Sequence, residues 1–377
     1  GNHLYLFKNY HMRNVIFIVI SLFLLWACEK EKIIEKEVVK VYNWKTHEAF
    51  QYNEVVQMNS YATDDMLFLY GPHSFTSIAP DTVEHPDELF GGQVSFYPHW
   101  NEQPGDKKIP IGENFYLSYS QKSGMINLIP TKNPVLVGSR FYLHLQNIDS
   151  SYNRFDLLHY MSGECMKING QNQVLIPYSY FYDKTNGLKL LLIDVKIINY
   201  HDGFDYMDTI KTRVIQIDDD YQYNTIALNC IDDVFYVTSD YNVYRINTDG
   251  EINKVFNRRL YRIVESNGTL FGFGQNNMFY STDNGFTWTE GYETPWELVL
   301  LNYAKINGKL IGYRYAQLFE ITINENEFQA KELDNDGLEG KSITSVSKFD
   351  NKVYLTSLSG VFYKPVDEFF IEKEVEE

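Results

Sequence analysis

Short runs of alternating apolar and polar residues, broken by two-residue polar turns, recur through the C-terminal half of the chain. Four segments share the pattern: 226–237 around Asp232-Asp233, 261–272 around Asn267-Gly268, 302–312 around Asn307-Gly308, and 343–355 around Asp350-Asn351. Asn-Gly or Asp-rich pairs between alternating strands predict β-hairpins, because these residues tolerate the positive φ of a tight primed turn. With Val234, Leu270, Leu310 and Val353 taken as equivalent, successive units are 36, 40 and 43 residues apart. A further apolar-aromatic pair follows in each: Val243-Tyr244, Met278-Phe279, Leu318-Phe319 and Val361-Phe362. That makes three strands, with room for a fourth before the next unit. Four strands in about 40–45 residues is the period of a propeller blade.

The N-terminal half carries a fainter version. Asp64-Asp65 precedes Leu67, with Phe75 beyond it, and Asn186-Gly187 precedes the apolar run 188–193, which is read as the same turn-strand step. Two strand-like stretches, 114–118 and 140–145, lie between and are grouped into one enlarged blade. Centres near 67, 128, 190, 234, 270, 310 and 353 predict an all-β, seven-bladed propeller spanning residues 46–377. Eight blades result if the two stretches stand apart. A β-sandwich joined to a smaller propeller would need a linker, and no stretch rich in Pro, Gly or Ser divides the chain. The segment 97–106 reads as an insertion on one face.

One unit carries a sharper motif. Ser281, Asp283, Gly285, Thr287 and Trp288 fit the pattern Ser-x-Asp-x-Gly-x-Thr-Trp. Here the chain resembles the Asp-box (BNR) repeat of propeller proteins. Locally, Asp283 can accept backbone N–H groups across the turn, Gly285 can supply positive φ, and Trp288 can pack the outer strand on its neighbour. The resemblance implies a propeller hairpin at the blade's outer edge, away from the axis, and implies no activity. The preceding unit keeps only Asp249-Gly250 at the equivalent place.

The N-terminus has a different grammar. After residues 1–11, an upstream extension, Met12-Arg13-Asn14 opens a short basic region that runs into the apolar stretch 15–27. A positive start, a core of about a dozen apolar residues and a small residue at its end make a secretory signal. Such a core is shorter than the roughly 20 residues of a membrane span. Leu25-Trp26-Ala27-Cys28 resembles a bacterial lipobox, which implies cleavage before Cys28 and lipidation of its sulfur. Residues 28–45, the lipidated cysteine and a run of alternating Lys and Glu, read as a solvated tether. The resemblance places the protein on the outer membrane of a Gram-negative bacterium, at the surface or in the periplasm.

Composition then narrows the function. A formal charge of −17 opposes contact with phosphate backbones, so nucleic acid is not an expected partner. The 30 Tyr and 25 Phe suit strands and also contact patches. Besides Cys28 there are Cys165 and Cys230, which could pair in an oxidising compartment; as they fall in different predicted units, two buried free thiols are expected. Sialidase chemistry needs arginines from three separate blades, whereas four of the eight arginines after the signal lie between 245 and 262. His144 and His159 read as ordinary strand residues. The acidic stretches 201–208, 218–220 and 334–339 invite calcium, yet suit polar loops of an acidic protein better, and no cofactor is expected. The primary expectation is a non-catalytic, lipid-anchored propeller binding a protein, peptide or glycan. The alternative is a glycan-active hydrolase or lyase with two carboxylates in the axial funnel.

Overall fold

The computed structural model describes residues 43–50, 59–63, 66–71, 74–80, 94–98, 107–112, 115–120, 123–130, 141–152, 166–178, 188–199, 205–217, 227–239 and 241–374. Residues 12–28, read above as a signal and lipidated cysteine, and the expected tether up to residue 42 lie outside them, as do Cys165, His159 and the acidic stretches 201–204 and 218–220.

The described residues form seven four-stranded antiparallel sheets arranged as the blades of a seven-bladed β-propeller. Blades 1 to 6 run over residues 59–98, 107–144, 167–217, 227–256, 262–293 and 302–332. Blade 7 takes three strands from 343–365 and its fourth from Lys45–Thr46, paired with Gly360–Pro365. The strands Phe115–Ser120 and Phe141–His144, which overlap those two stretches, do belong to one blade, as its second and fourth strands.

The expected hairpins have the backbone their residues predict. Asn267 and Gly268 have φ of 52° and 79°, Asn307 and Gly308 of 50° and 77°, Asp232 and Asp233 of 48° and 64°. Blade 3 corrects the sequence reading. The run Leu188–Asn199 is the third strand of that blade, and its second is Gln173–Pro177. The true first hairpin turns at Asn172, φ 60°, after a first strand of only two residues, Lys167–Ile168. So short a strand leaves no alternation to read.

Second strands are buried on both faces, as in Leu67–Tyr70, Phe115–Ser120 and Val234–Thr238. The reason is the stacking. Seven apolar clusters lie in the seven gaps between neighbouring blades, and each draws on both walls. Strand alternation divides the work: in blade 4, Phe235 and Val237 face blade 3, whereas Val234 and Tyr236 face blade 5. A blade alone would leave one of these sets in water, so the units are stable only as a ring.

A polar clasp closes that ring. Lys364 is buried, 1% exposed at its side chain, and its Nζ lies 2.7 Å from Asp334 Oδ2. Asn43 Nδ2 donates to the same carboxylate oxygen at 3.0 Å, and Trp44 Nε1 donates to Asp334 O at 3.0 Å. The Trp44 ring packs edge-on against Phe369, centroids 6.0 Å apart. Burial works to raise the Asp334 carboxyl, but the hydrogen bonds from Lys364 and Asn43 outweigh it and hold it below the usual range. The stretch 334–339 therefore serves closure. Asn43 and Trp44, which the sequence reading leaves in the tether, pack with blade 7.

Candidate functional site

The loop resembling an Asp box joins the third strand of blade 5, Asn277–Ser281, to the fourth, Thr289–Glu293. Asp283 organises it. Oδ1 accepts from Ser281 Oγ at 2.8 Å and from Thr287 N at 2.9 Å, and Oδ2 accepts from Thr287 Oγ1 at 2.7 Å. Gly285 N donates to Ser281 Oγ at 2.8 Å, and Trp288 Nε1 donates to Gly285 O at 3.1 Å. Asn284 and Gly285 take φ of 55° and 78°.

This loop grips the preceding blade. Tyr236 OH of blade 4 donates to Asn284 O at 2.9 Å, and Arg245 Nε donates to the same oxygen at 3.2 Å. The Arg245 guanidinium sits 4.1 Å from the Phe286 centroid, and Trp288 packs 5.9 Å from Phe256 on the outer strand of blade 4. Blade 4 repeats the device on blade 3: Arg213 donates to Asp249 O, and Gln173 Nε2 donates to Thr248 O at 2.8 Å. Residues 281–288 thus carry an inter-blade clamp and present no reactive group.

Hydrogen bonds from Thr287 and Ser281, against a small opposing effect of burial, lower the Asp283 carboxyl to about 2. A carboxylate depressed on folding contributes stability above its unfolded pKa near 4, and loses it as pH falls through the folded value. Asp283 is exposed, so solvent screening limits the effect to about 1 kcal/mol. Urea unfolding of wild type and Asp283→Asn should differ by that amount at pH 6. The gap should narrow steadily below pH 4.

The cavity lies elsewhere. A space of about 480 Å³ is walled by the first strands of blade 4, Ala227–Ile231, blade 5, Arg262–Ser266, and blade 6, Asn302–Ile306, with Lys167 of blade 3 at its side. First strands line the axis of a propeller, so this is the axial cavity, and its size suits a small ligand or an inserted segment. Its lining is mixed: Ala227, Ala304 and Val264 beside Asn229, Cys230, Arg262 and Asn302.

Cys230 is a half-buried free thiol on this wall. Burial raises it to about 12, with Asp233 and Asp232 adding to the rise and Lys167 opposing it. A thiol so held stays protonated at neutral pH and is a poor nucleophile. Tyr61, on the first strand of blade 1, is raised by burial and then by the charge Cys230 would carry.

Two carboxylates line the cavity, Asp232 and Glu265. Glu265 Oε1 accepts from Gly268 N at 2.7 Å, and Oε2 is ion-paired with Lys305. Its oxygens are committed to structure, which fits poorly with a general acid or base. Among the described residues no group of three His, Cys, Asp or Glu is placed to hold a metal ion. Of the acidic stretch 201–208, Asp208 pairs with Lys196 at 3.1 Å. His144 ends a strand, and its Nδ1 accepts from Gln146 N at 3.2 Å.

No protein-family profile and no curated protein matches the chain. Solved structures do resemble it. A catalytically inactive variant of virginiamycin B lyase from Staphylococcus aureus, with quinupristin, is 12% identical over 86% of this chain and 98% of that one, at a TM-score of 0.53. YCF48 bound to D1 peptide is 10% identical over 87% and 96%, at 0.50. BamB from Moraxella catarrhalis is 11% identical over 82% and 83%, at 0.43. At such identities the likeness establishes the propeller fold and nothing finer. Among the described residues no helix is long and apolar enough to cross a membrane.

Proposed function

We propose that this protein is a non-catalytic propeller, lipid-anchored at the bacterial cell envelope, that binds a peptide segment of a partner protein at its axial cavity. The observation that carries the reading is the cavity itself: it mixes small apolar walls with amides and cations, and of its two carboxylates that of Glu265 is already spent on Lys305 and a backbone N–H, leaving Asp232 without a second carboxylate to work with. Such a lining suits recognition and lacks a poised acid–base pair. YCF48, which shares the fold, is held with a peptide in its solved structure, and that supports a peptide as ligand. The anchor rests on Met12 to Cys28, a signal segment ending in a lipobox-like cysteine. The Asp-box reading of Ser281, Asp283, Gly285, Thr287 and Trp288 accounts for the clamp between blades 4 and 5.

The test is a peptide-array screen with the full-length lipoprotein in detergent, followed by affinity measurement on the hits. Asn302 is exposed at the start of the first strand of blade 6 and lines the cavity. Asn302→Trp should fill the entrance and weaken peptide binding at least tenfold without lowering the melting temperature. Unchanged binding would move the ligand away from the axis.

A further inference from the structure

In a meander of four antiparallel strands, the turn between strands two and three lies on the same face as the connection to the next blade. The starts of the first strands lie there too. On blades 4 to 7 that face carries Tyr241, Trp296, Tyr315 and Leu358, all exposed, at 61%, 45%, 62% and 49%. It is also the face reached by the cavity residues Ala227, Arg262 and Asn302.

One guanidinium stands at Asn302, and a second lies further along the same face, at the turn of the adjoining strand. Arg262 Nε donates to Leu301 O at 3.3 Å, and its Nη2 is 3.5 Å from Asn302 Oδ1. Arg314 follows Tyr313, the cross-strand partner of Asn302. Its Nη2 donates to Tyr315 OH at 3.2 Å, and its guanidinium lies 4.7 Å from the Tyr315 ring. Neither arginine is ion-paired with a carboxylate among the described residues, although the chain has 50 acidic residues against 33 basic ones. Other cations of blades 5 to 7 are matched: Arg258 by Glu290, Lys305 by Glu265, Lys309 by Glu320, Lys364 by Asp334. A guanidinium offers five N–H donors, and most of those on Arg262 and Arg314 remain unspent.

Tyr315 has a further oddity. It holds φ of 53° at the first position of a two-residue turn, where glycine is the ordinary occupant. Ile343 N donates to Tyr315 O at 2.8 Å and Asn335 Nδ2 donates to Ala316 O at 3.0 Å, so the connection into blade 7 and its first residue pin the turn. The outcome is a ring held in solvent beside an arginine, in a conformation that side chains avoid.

We infer that the bound segment is acidic: Arg262, beside Asn302 at the cavity mouth, and Arg314, at the turn on the same face, take its carboxylates, and Trp296 and Tyr315 cover its chain. The inference rests on the peptide-binding reading above and sharpens it. Guanidinium groups bind carboxylates through paired, charge-assisted hydrogen bonds, and a site rich in arginine and aromatic rings is the common composition of a binding hot spot. The net negative charge of the rest of the chain would repel the same ligand, so the mouth is where it can dock.

The experiment compares matched peptides carrying Asp/Glu, Asn/Gln or Lys/Arg at the same positions, with polygalacturonate as an acidic glycan, against the full-length protein in detergent. The acidic peptides should bind best and weaken as salt rises. Arg262→Gln and Arg314→Gln should each weaken them about tenfold or more, with binding of the amide peptides unchanged. Arg314→Lys should restore part of the loss. Should Arg262→Gln melt early, Arg262→Lys serves instead, since it keeps the charge and loses the paired geometry. Peptide binding indifferent to acidity, or to both arginines, overturns the inference and leaves the peptide reading standing. Silence from every peptide, or binding of polygalacturonate alone, overturns both.

Discussion

Asp334→Ala should destabilise the propeller by about 3–5 kcal/mol, because it leaves Lys364 as an uncompensated buried charge. Lys364 is 1% exposed and its Nζ has Asp334 as its carboxylate partner at 2.7 Å. The same carboxylate also holds Asn43, and the main-chain oxygen of Asp334 holds Trp44. The loss therefore falls on the seam where the strand Lys45–Thr46 completes blade 7. Urea unfolding followed by tryptophan fluorescence would measure it, since Trp44 reports on the seam itself. The double variant Asp334→Leu with Lys364→Met should recover most of the stability, because a buried ion pair replaced by apolar residues of similar volume is often neutral. If the double variant is as unstable as the single one, then closure depends on the geometry of the carboxylate and its several donors, and the buried charge is secondary.

Gly285→Ala should cost about 2–5 kcal/mol, adding backbone strain to overpacking. Gly285 has φ of 78°, and a Cβ there would sit 2.5 Å from Tyr236 Cε1. That ring cannot yield easily, since Tyr236 is buried between blades 4 and 5 and its hydroxyl donates to Asn284. Gly268 is the internal control. Its φ of 79° is almost the same, yet a Cβ would meet nothing within 4 Å. Gly268→Ala should therefore cost only the strain of the left-handed backbone, about 1 kcal/mol. Equal losses in the two variants, read by thermal unfolding, would show that the loop can retreat from blade 4 and that the clamp is loose.

The contrast between these two glycines marks what was legible in the chain. Positive φ at Asn267-Gly268 and Asn307-Gly308 is a property of two adjacent residues, so the hairpins of blades 5 and 6 could be read directly. The internal bonding of the loop around Asp283 was equally local, since every contact spans at most four residues. What that loop grips was hidden, because Tyr236 is 48 residues from Asn284 and nothing near it announces the contact. Blade 3 failed for the opposite reason. Asn186-Gly187 advertised a hairpin, while the two-residue strand Lys167–Ile168 advertised nothing, and the register slipped by one strand.

The cavity was beyond reach of the sequence. In the sequence Arg262 is one of four arginines crowded into 245–262, a spacing that does not suit a clamp spread over separate blades. Only stacking the blades sets it beside Asn302, a neighbour supplied by the next blade. Cys230 was expected to be simply buried; it is half-buried on the axial wall.

By itself the sequence determined the repeat, the blade count and the hairpins, because alternation and turn chemistry act over a few residues and survive without context. The pattern from Met12 to Cys28, on which the proposed anchor rests, is likewise a linear feature. The tertiary structure decided how the ring closes, which arginines lack an acid, and where the cavity opens. Those depend on residues brought together from opposite ends of the chain, as Asn43 is to Asp334, and no local pattern encodes such a meeting.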